Sequence, residues 1–523
     1  MLCFFCRTVM FFVRFTSFQS LIAMPSVQCD SRRIKPGDTF VAIRGSRTDG
    51  ASFIADALSA GAVEIVADHP RPPSGIPENI RWRTVADARA ELARLACIAH
   101  RDPSKSLEVF GVTGTNGKTT TAMLMRDILL AVGRPAGLVS TVSTITRPPP
   151  PRRWVARLLR RPTPPAPEQA SNITTPDAVA LQSAFADMLA NGCKTAVIEV
   201  SSHAIDQHRV AGTRFAALAF TNLTQDHLDY HGTMEAYFQT KRKLFVPFQA
   251  RAAINVDCPY GRRLFEELKP LHAEQVLAYG SAADADVRFS NEQLTAAGSS
   301  FQLDYPGGSQ SVDIRLLGRH NIHNVLAAFS LALLNGIPPR SAIVSLGAAS
   351  PVRGRLERIP VAATPATCFV DYAHTPDALQ NVLTTLREIT QGRLIVVFGA
   401  GGDRDRGKRP LMGATVERLA DIAIVTSDNP RSESPQAIID DILSGMPGLS
   451  ETRPGRIRVE PDRHRAIAQA VQLASLPGDT VLIAGKGHET GQRFADHTEP
   501  FDDRAVLQSS QPQTPASSRT VST

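Results

Sequence analysis

Short runs of apolar residues alternate along most of the chain with longer stretches in which apolar side chains return every three or four positions. In residues 29–104, apolar runs at 40–43 and 63–66 read as strands and the helical period appears at 54–60 and 86–99, the pattern of a small α/β domain. From Leu107 a strand over 107–110 enters a glycine-rich turn that opens a helix, and further apolar runs follow at 195–200 and 216–220. That order predicts a doubly wound nucleotide-binding domain reaching to about residue 350. Beyond it, strands at 368–370, 394–398, 422–425 and 481–484 alternate with helical patterns at 377–388, 408–419, 436–443 and 463–473, as in a Rossmann-like domain. The expected fold is therefore α/β with three domains, 25–105, 106–350 and 351–506, the central one a P-loop sheet. A length of 523 residues suits three domains of roughly 100–200 residues each.

Three segments break the pattern. Residues 1–24 carry six phenylalanines and two arginines without a clean apolar core or a small-residue cleavage site. They read as an over-extended start, with Met24 as the expected initiator, rather than as a signal peptide. Residues 147–169 hold eight prolines around a basic amphipathic piece, 154–161, and read as an insert in the central domain, a solvated linker or a contact with anionic lipid. From 507 to 523 the Ser/Thr/Gln/Pro-rich composition predicts a disordered tail.

The formal net charge of +7 suggests nucleic-acid binding only until it is located. Six arginines against Glu168 in the insert, with Arg7 and Arg14, account for the whole excess, so the body of the chain is balanced and no nucleic-acid partner is expected. Hydrophobic residues at 43% and charged ones at 20%, with no apolar run near the ~20 residues of a bilayer crossing, exclude an integral membrane protein. Cys3, Cys6, Cys29, Cys97, Cys193, Cys258 and Cys368 have no metal-type spacing outside the N-terminal segment, which predicts a reducing cytoplasm and no structural zinc.

The strongest chemical signal is Gly111-Val-Thr-Gly-Thr-Asn-Gly-Lys118-Thr119-Thr120 between a strand and a helix. Glycines let backbone N–H groups converge on phosphate oxygens, Lys118 can bridge the terminal phosphates of ATP, and Thr119 can reach Mg²⁺. The strict P-loop expression fails at Val112, where its first glycine belongs, and a turn without ligand is the alternative. Glu199 ends the strand at 195–200, and Asp226-His227-Leu-Asp229-Tyr-His231 follows the run at 216–220, offering metal or phosphate ligands beside the loop. In the last domain, polar clusters follow four strands: Asp371 to Asp377, Gly399 to Arg409, Ser427 to Arg431, and Gly485 to Glu489. Successive strand ends rich in Arg, Asp, His and Gly form one rim of a cleft suited to a zwitterionic or anionic substrate, four solvated loops being the alternative. Gly399–Gly402 is not a dinucleotide fingerprint.

Taken together, these residues resemble the ATP-dependent Mur ligases of peptidoglycan synthesis, in particular members that add the third peptide residue. The likeness runs from about Asp30 to Asp503, interrupted mainly by the insert. The loop Gly114, Thr115, Asn116, Gly117, Lys118, Thr119, Thr120 matches the family's G-T-N-G-K-T-T; Glu199 to His203 matches E-V-S-S-H; Lys241 matches the lysine that members carbamylate with CO₂. The resemblance implies Lys118, Glu199, His227 and Lys241 as catalytic residues, one Mg²⁺ on Thr119 and Glu199, and another on His227 and the carbamate of Lys241. Asn321, Asn324 and His374 would lie near ATP. Ser31, Ser46, Arg47, Thr48, Thr174, Thr175, Ser201, Gln207 and Arg209 would bind UDP-N-acetylmuramoyl-L-alanyl-D-glutamate. Asp428-Asn429-Pro430-Arg431 resembles the family's signature for meso-diaminopimelate, which with Arg404, Gly485 and Glu489 would hold an ammonium and a carboxylate. The first 30 residues lack the short helix expected at the family's start, and Cys29 precedes the motif.

The implied reaction is ATP-dependent amide formation through an acyl phosphate, in a cytoplasmic monomer. Competing expectations are the same ligation with L-lysine, a folylpolyglutamate synthase, a catalytically dead scaffold, and a P-loop ATPase of regulatory or motor type, which would turn ATP over without an amino acid.

Overall fold

The computed structural model describes residues 26–45, 48–149, 168–170, 173–447 and 455–510. Segment 1–24, Ser46, Arg47, the basic piece 154–161 and most of the expected tail lie outside them. The chain falls into two compact units, Met1–Ala88 and Arg89–Thr523. In the first, four parallel strands stand in chain order: Val27–Gln28, Thr39–Ala42, Glu64–Ala67 and Arg81–Thr84. Helix Ile54–Ser59 adds Ile54 and Ala57 to a core with Phe40, Ala42, Ile65 and Ala67, so that alternate strand positions face one layer.

The second unit holds an eleven-stranded and a six-stranded sheet. The parallel centre of the larger runs Val276–Gly280, Arg251–Asn255, Phe215–Phe220, Glu108–Thr113, Thr195–Glu199, Ala136–Val139. Strand Glu108–Thr113 thus lies between strands that come later in the chain, where the strand order reverses. In open α/β sheets the crevice at that point binds ligands. Antiparallel strands Val287–Thr295, Gly298–Tyr305 and Gly308–Ile314 extend one side, and Ser143–Ile145 with Glu168–Ala170 the other. Neither flank is anticipated from the apolar runs; the strands of 287–314 are half exposed and rich in polar residues. Helix Arg319–Leu334 is also unanticipated, because it is buried on nearly every side and shows no amphipathic stripe. It packs against helix Lys118–Ala131 through Val325, Phe329, Leu124, Met125 and Ile128.

In the smaller sheet, Glu357–Ile359 pairs antiparallel with Thr367–Asp371, and Thr480–Ala484, Leu394–Phe398, Ile422–Val425 and Ile457–Val459 follow in parallel. The period of two distributes its side chains cleanly. Leu394, Val396 and Phe398 meet helices Pro376–Ile389, Lys408–Leu419 and Pro435–Leu443; Ile395 and Val397 meet Arg463–Leu473 and Asp503–Ser509. The last helix passes the expected domain end at 506, burying Val506 and Leu507. Among the described residues no helix is long and apolar enough to cross a membrane.

Candidate active site

The turn after Glu108–Thr113 begins at Gly114, which explains the departure at Val112: that residue is inside the strand and fully buried. Gly114 has φ +148° and a Cβ there would stand 1.9 Å from Thr221 Oγ1; Gly117 has φ +86° and its Cβ would meet Asn324 Oδ1 at 2.2 Å. Only glycine fits either place. The turn is braced from the Phe215–Phe220 strand end, where Asn222 accepts from the Asn116 N–H (2.8 Å) and from the Thr115 N–H through its own carbonyl (2.9 Å).

With the loop in this form, Lys118 Nζ donates to the carbonyls of Gly114 (3.0 Å) and Thr115 (2.8 Å). Lys241, from helix Met234–Arg242, is 1% exposed and donates to the same Gly114 carbonyl at 3.1 Å and to Thr113 Oγ1 at 3.4 Å. Burial, and then the charge of Lys118, drives its amine well below the ordinary lysine range, against the pull of Asp226. Lys118 is itself lowered by burial, with Glu199 and Asp226 opposing.

Glu199 is buried at the end of its strand and accepts from the Thr141 N–H (2.8 Å) and Oγ1 (3.0 Å). Thr141 Oγ1 also lies 3.1 Å from Thr174 Oγ1, Thr175 Oγ1 donates to the Glu199 carbonyl (2.8 Å), and Ser201 N–H donates to Thr175 Oγ1 (3.1 Å). Arg209 donates to the Thr175 carbonyl and to Gln207 Oε1, both at 2.8 Å. One patch therefore unites Thr174, Thr175, Ser201, Gln207 and Arg209 around Glu199. Ser31 and Thr48 belong to the first unit, where Asp30 caps the turn Ser31–Arg33 and the Gly45 N–H donates to the Thr48 carbonyl.

His227 occupies a left-handed backbone position, φ +55°. Its Nε2 is 3.4 Å from Asp226 Oδ2, and Lys408 Nζ reaches Asp226 Oδ1 at 3.7 Å from the start of helix Lys408–Leu419. Burial lowers His227 to about 3, although Asp226 opposes it. Among the described residues no three His, Cys, Asp or Glu side chains form a ready cation cage. The donor set nevertheless fits Mg²⁺ bound with a polyphosphate, since that ion keeps waters and takes only one or two protein oxygens. Thr119 and Glu199 could offer such oxygens beside the loop, and Lys241 would do so only as a carbamate.

A single cavity of about 640 Å³ is lined by the loop, Glu199, His227, Asn321, Asn324, His374, Arg404, Asp428, Asn429, Arg431, Gly485 and Glu489, among others. Asn324 donates to Asn321 Oδ1 (3.0 Å), and burial holds His374 down at about 4. Gly485 has φ +119° and a Cβ there would lie 2.3 Å from Asp428 Oδ2, a buried oxygen without a hydrogen-bond partner. Burial opposes the charge on Asp428, but Lys486, Arg463, His374 and Arg431 together hold its carboxyl below the usual range. Glu489 by contrast accepts from Lys486 Nζ (3.1 Å) and Asn429 Nδ2 (2.8 Å). Pro430 lies in the same turn, Glu433 N–H donating to its carbonyl.

Further residues line or brace this site: Arg355 and Asn222 belong to no motif of the sequence, whereas Asp377, Lys408 and Lys486 lie in the strand-end clusters and gain specific partners in the fold. Arg355 lies over the Tyr372 ring and donates to Thr119 Oγ1 (3.0 Å), and Asp377 accepts from Asn116 Nδ2 (2.8 Å). Asn222, Lys408 and Lys486 complete the set. Arg355 follows no strand, so no strand-end pattern marks it; Lys408 lies in a strand-end cluster, but its partner Asp226 is set by the fold alone.

Residues 24–97 match the family model described as Mur ligase family, catalytic domain, 112–332 the Mur ligase middle domain, and 354–487 the Mur ligase glutamate ligase domain. The chain is 43% identical over 483 residues to the UDP-N-acetylmuramoyl-L-alanyl-D-glutamate--2,6-diaminopimelate ligase of Thermosynechococcus vestitus, covering 92% of this chain and 91% of the relative. It is 40% identical to the enzyme of that name from Aquifex aeolicus, covering 92% of each. A solved structure of a ligase with this name superposes with a TM-score of 0.62 at 31% identity over 93% of this chain and 94% of the other. A folylpolyglutamate synthase from Mycobacterium tuberculosis, at 22% identity and a TM-score of 0.59, covers 76% of this chain and 93% of its own and shares the fold.

Proposed function

The chain belongs to the Mur ligase family, and we propose that it joins meso-diaminopimelate to UDP-N-acetylmuramoyl-L-alanyl-D-glutamate at the expense of ATP, in peptidoglycan precursor synthesis. The observation that carries this reading is one cavity lined both by a phosphate loop and by a buried carboxylate, Asp428, whose Oδ2 has no hydrogen-bond partner, in company with Arg404 and Arg431. An amino acid whose far end bears an ammonium and a carboxylate meets both charges there; L-lysine meets only one.

The substrate's γ-carboxylate oxygen attacks the γ-phosphorus of ATP, and the bond to ADP breaks. The amine of diaminopimelate then attacks the acyl carbon, the C–O bond breaks, and phosphate leaves with the carboxylate oxygen as the amine loses a proton. Lys118 gives up its carbonyl partners to neutralise the transferring phosphoryl group, with Arg355 beside Thr119. Thr174, Thr175, Ser201, Gln207 and Arg209 orient the peptidyl end, and Ser31, Ser46, Arg47 and Thr48 the nucleotide sugar. Asn321, Asn324 and His374 flank the ATP. Asn429, Gly485 and Glu489 shape the amino-acid subsite, where Asp428 takes the ammonium and Arg404 and Arg431 the carboxylate. Thr119 with Glu199, and His227 with a carbamylated Lys241, would each hold a Mg²⁺. Bound Mg²⁺ supplies charge neutralisation at the phosphate oxygens. The neutral amine is the form that adds CO₂ and loses a proton to become that anionic ligand, and burial of Lys241 favours it. Since ATP and a nucleotide-linked substrate are both required, we place the reaction in the cytoplasm.

Phosphate release from ATP with the nucleotide substrate tests the reading. Release that needs meso-diaminopimelate supports it. Equal release with L-lysine overturns the assignment of Arg431, and release without any amino acid overturns the ligase.

A further inference from the structure

The two arginines assigned to the carboxylate come from different loops, 401–404 and 429–431, so their spacing must be held by something else. Arg409 and Glu433 do this. Arg409 is fully buried and forks onto Glu433, with Nη2 to Oε1 at 2.8 Å and Nη1 to Oε2 at 2.9 Å. The same Glu433 Oε1 accepts from the Asp403 N–H at 2.6 Å, and Arg409 Nη2 donates to the Gly401 carbonyl at 3.3 Å. One ion pair therefore grips the first loop from its position at the end of the second.

The loops then interlock. Gly402 N–H donates to the Asn429 carbonyl (2.9 Å), Arg431 Nη1 to the Gly402 carbonyl (2.6 Å), and Ser432 Oγ to Asp403 Oδ1 (2.5 Å). A Cβ on Gly402 would lie 1.9 Å from the Pro430 carbonyl, so the backbones are in direct contact. Asp403 and Arg431, each adjoining or bearing a clamp guanidinium, are both held at left-handed φ, +52° and +54°. Such conformations persist only where surrounding contacts over-determine them. Arg431 Nε is buried without a partner, and the charge of Arg404 is felt at Arg431. Two like charges are thus kept together with donors to spare, the arrangement a carboxylate completes.

We propose that Arg409 and Glu433 are positioning residues that set the spacing of Arg404 and Arg431, and through it the preference for an amino acid with a distal carboxylate. This rests on the proposed ligase reading. Arg409 is fully buried while the Glu433 side chain is 21% exposed, and a pair open to solvent on one side contributes little to stability alone. Its use here is the geometry of two loops that neither charge could hold singly.

The test is steady-state kinetics on the full chain with ATP, the nucleotide substrate and either meso-diaminopimelate or L-lysine. Glu433→Gln keeps the shape and removes the charge; Arg409→Lys keeps the charge and loses the fork. Asp441→Asn is the control, because Asp441 accepts from Arg409 Nη1 (2.8 Å) and from Arg406 but from neither loop. Either of the first two variants should raise KM for diaminopimelate about tenfold or more and leave KM for ATP and the nucleotide substrate within about twofold. The diaminopimelate-to-lysine ratio of kcat/KM should fall about tenfold. Asp441→Asn should lower Tm and leave that ratio unchanged. Unchanged KM for diaminopimelate in whichever variant folds, beside a wild type that ligates it, overturns the inference alone. A wild type that does not ligate diaminopimelate overturns the functional reading, and this inference with it.

Discussion

Lys118 and Lys241 place their amines on one backbone carbonyl, that of Gly114, at 3.0 and 3.1 Å. Two ammonium groups so close, and both buried, repel each other strongly, and the environment resolves the conflict by driving Lys241 toward the neutral amine. That lowering favours the form of Lys241 that the proposed carbamylation needs. In ¹³C-bicarbonate the wild type should show a carbamate carbonyl resonance that Lys241→Met lacks. The same substitution should lower ligation by about 10²–10³-fold, the scale of losing one transition-state charge partner. A fully active Lys241→Met variant would refute the role.

Gly485→Ala should raise KM for diaminopimelate and leave KM for ATP unchanged. The added Cβ would sit 2.3 Å from Asp428 Oδ2 and would have to hold φ +119°. Competition kinetics with each substrate varied in turn separates the two constants.

Removing the guanidinium in Arg431→Ala should reduce kcat/KM for diaminopimelate by about 10²-fold while barely changing the poor value for L-lysine, since only the former has a carboxylate to lose. Parallel loss with both amino acids would mean that the turn, not the charge, is what Arg431 supplies.

Arg463 and Asp503 form a fully buried bidentate pair, both contacts at 2.8 Å, and Arg463 also donates to the Ala484 carbonyl at 3.0 Å. Asp503→Asn leaves a buried charge without its partner and should cost about 3–5 kcal/mol in urea unfolding. Replacing both residues by apolar ones of similar size should recover most of that.

Glu433 is held at about 2, chiefly by its hydrogen bonds from Arg409. Its folded value lies below its ordinary one, so the stability it contributes is complete above about pH 4.5 and is lost as pH falls toward 2. The difference in unfolding free energy between wild type and Glu433→Gln should therefore be widest at neutral pH and narrow between pH 4.5 and 3. A gap that does not change with pH would show that the charge contributes nothing.

The phosphate loop and the strand-end clusters were legible because each pairs a backbone requirement with a chemical one over a few consecutive residues. Gly114 and Lys118 lie four apart, and Asp428 and Arg431 share one turn. Arg355, Asp377 and Lys408 act across the two sheets of the second unit, reaching Thr119, Asn116 and Asp226, and no local spacing encodes that. The same holds for Arg409, which sequence places only at the end of the cluster from Gly399, and for Glu433, which no motif singles out; their pairing across two loops is visible only in the fold. In the fold, strands buried on both faces stood out as apolar runs. The half-exposed strands of 287–314 and the largely buried helix Arg319–Leu334 lacked the contrast that pattern reading needs.

The most direct measurement uses nucleotide substrate labelled with ¹⁸O in the D-glutamate γ-carboxylate, with ATP and meso-diaminopimelate, and follows both products by mass spectrometry. The account predicts one ¹⁸O in each released phosphate and a nucleotide product enlarged by one diaminopimelate residue. Unlabelled phosphate with an unchanged nucleotide substrate would contradict it, because ATP would then be hydrolysed by water and no acyl phosphate formed.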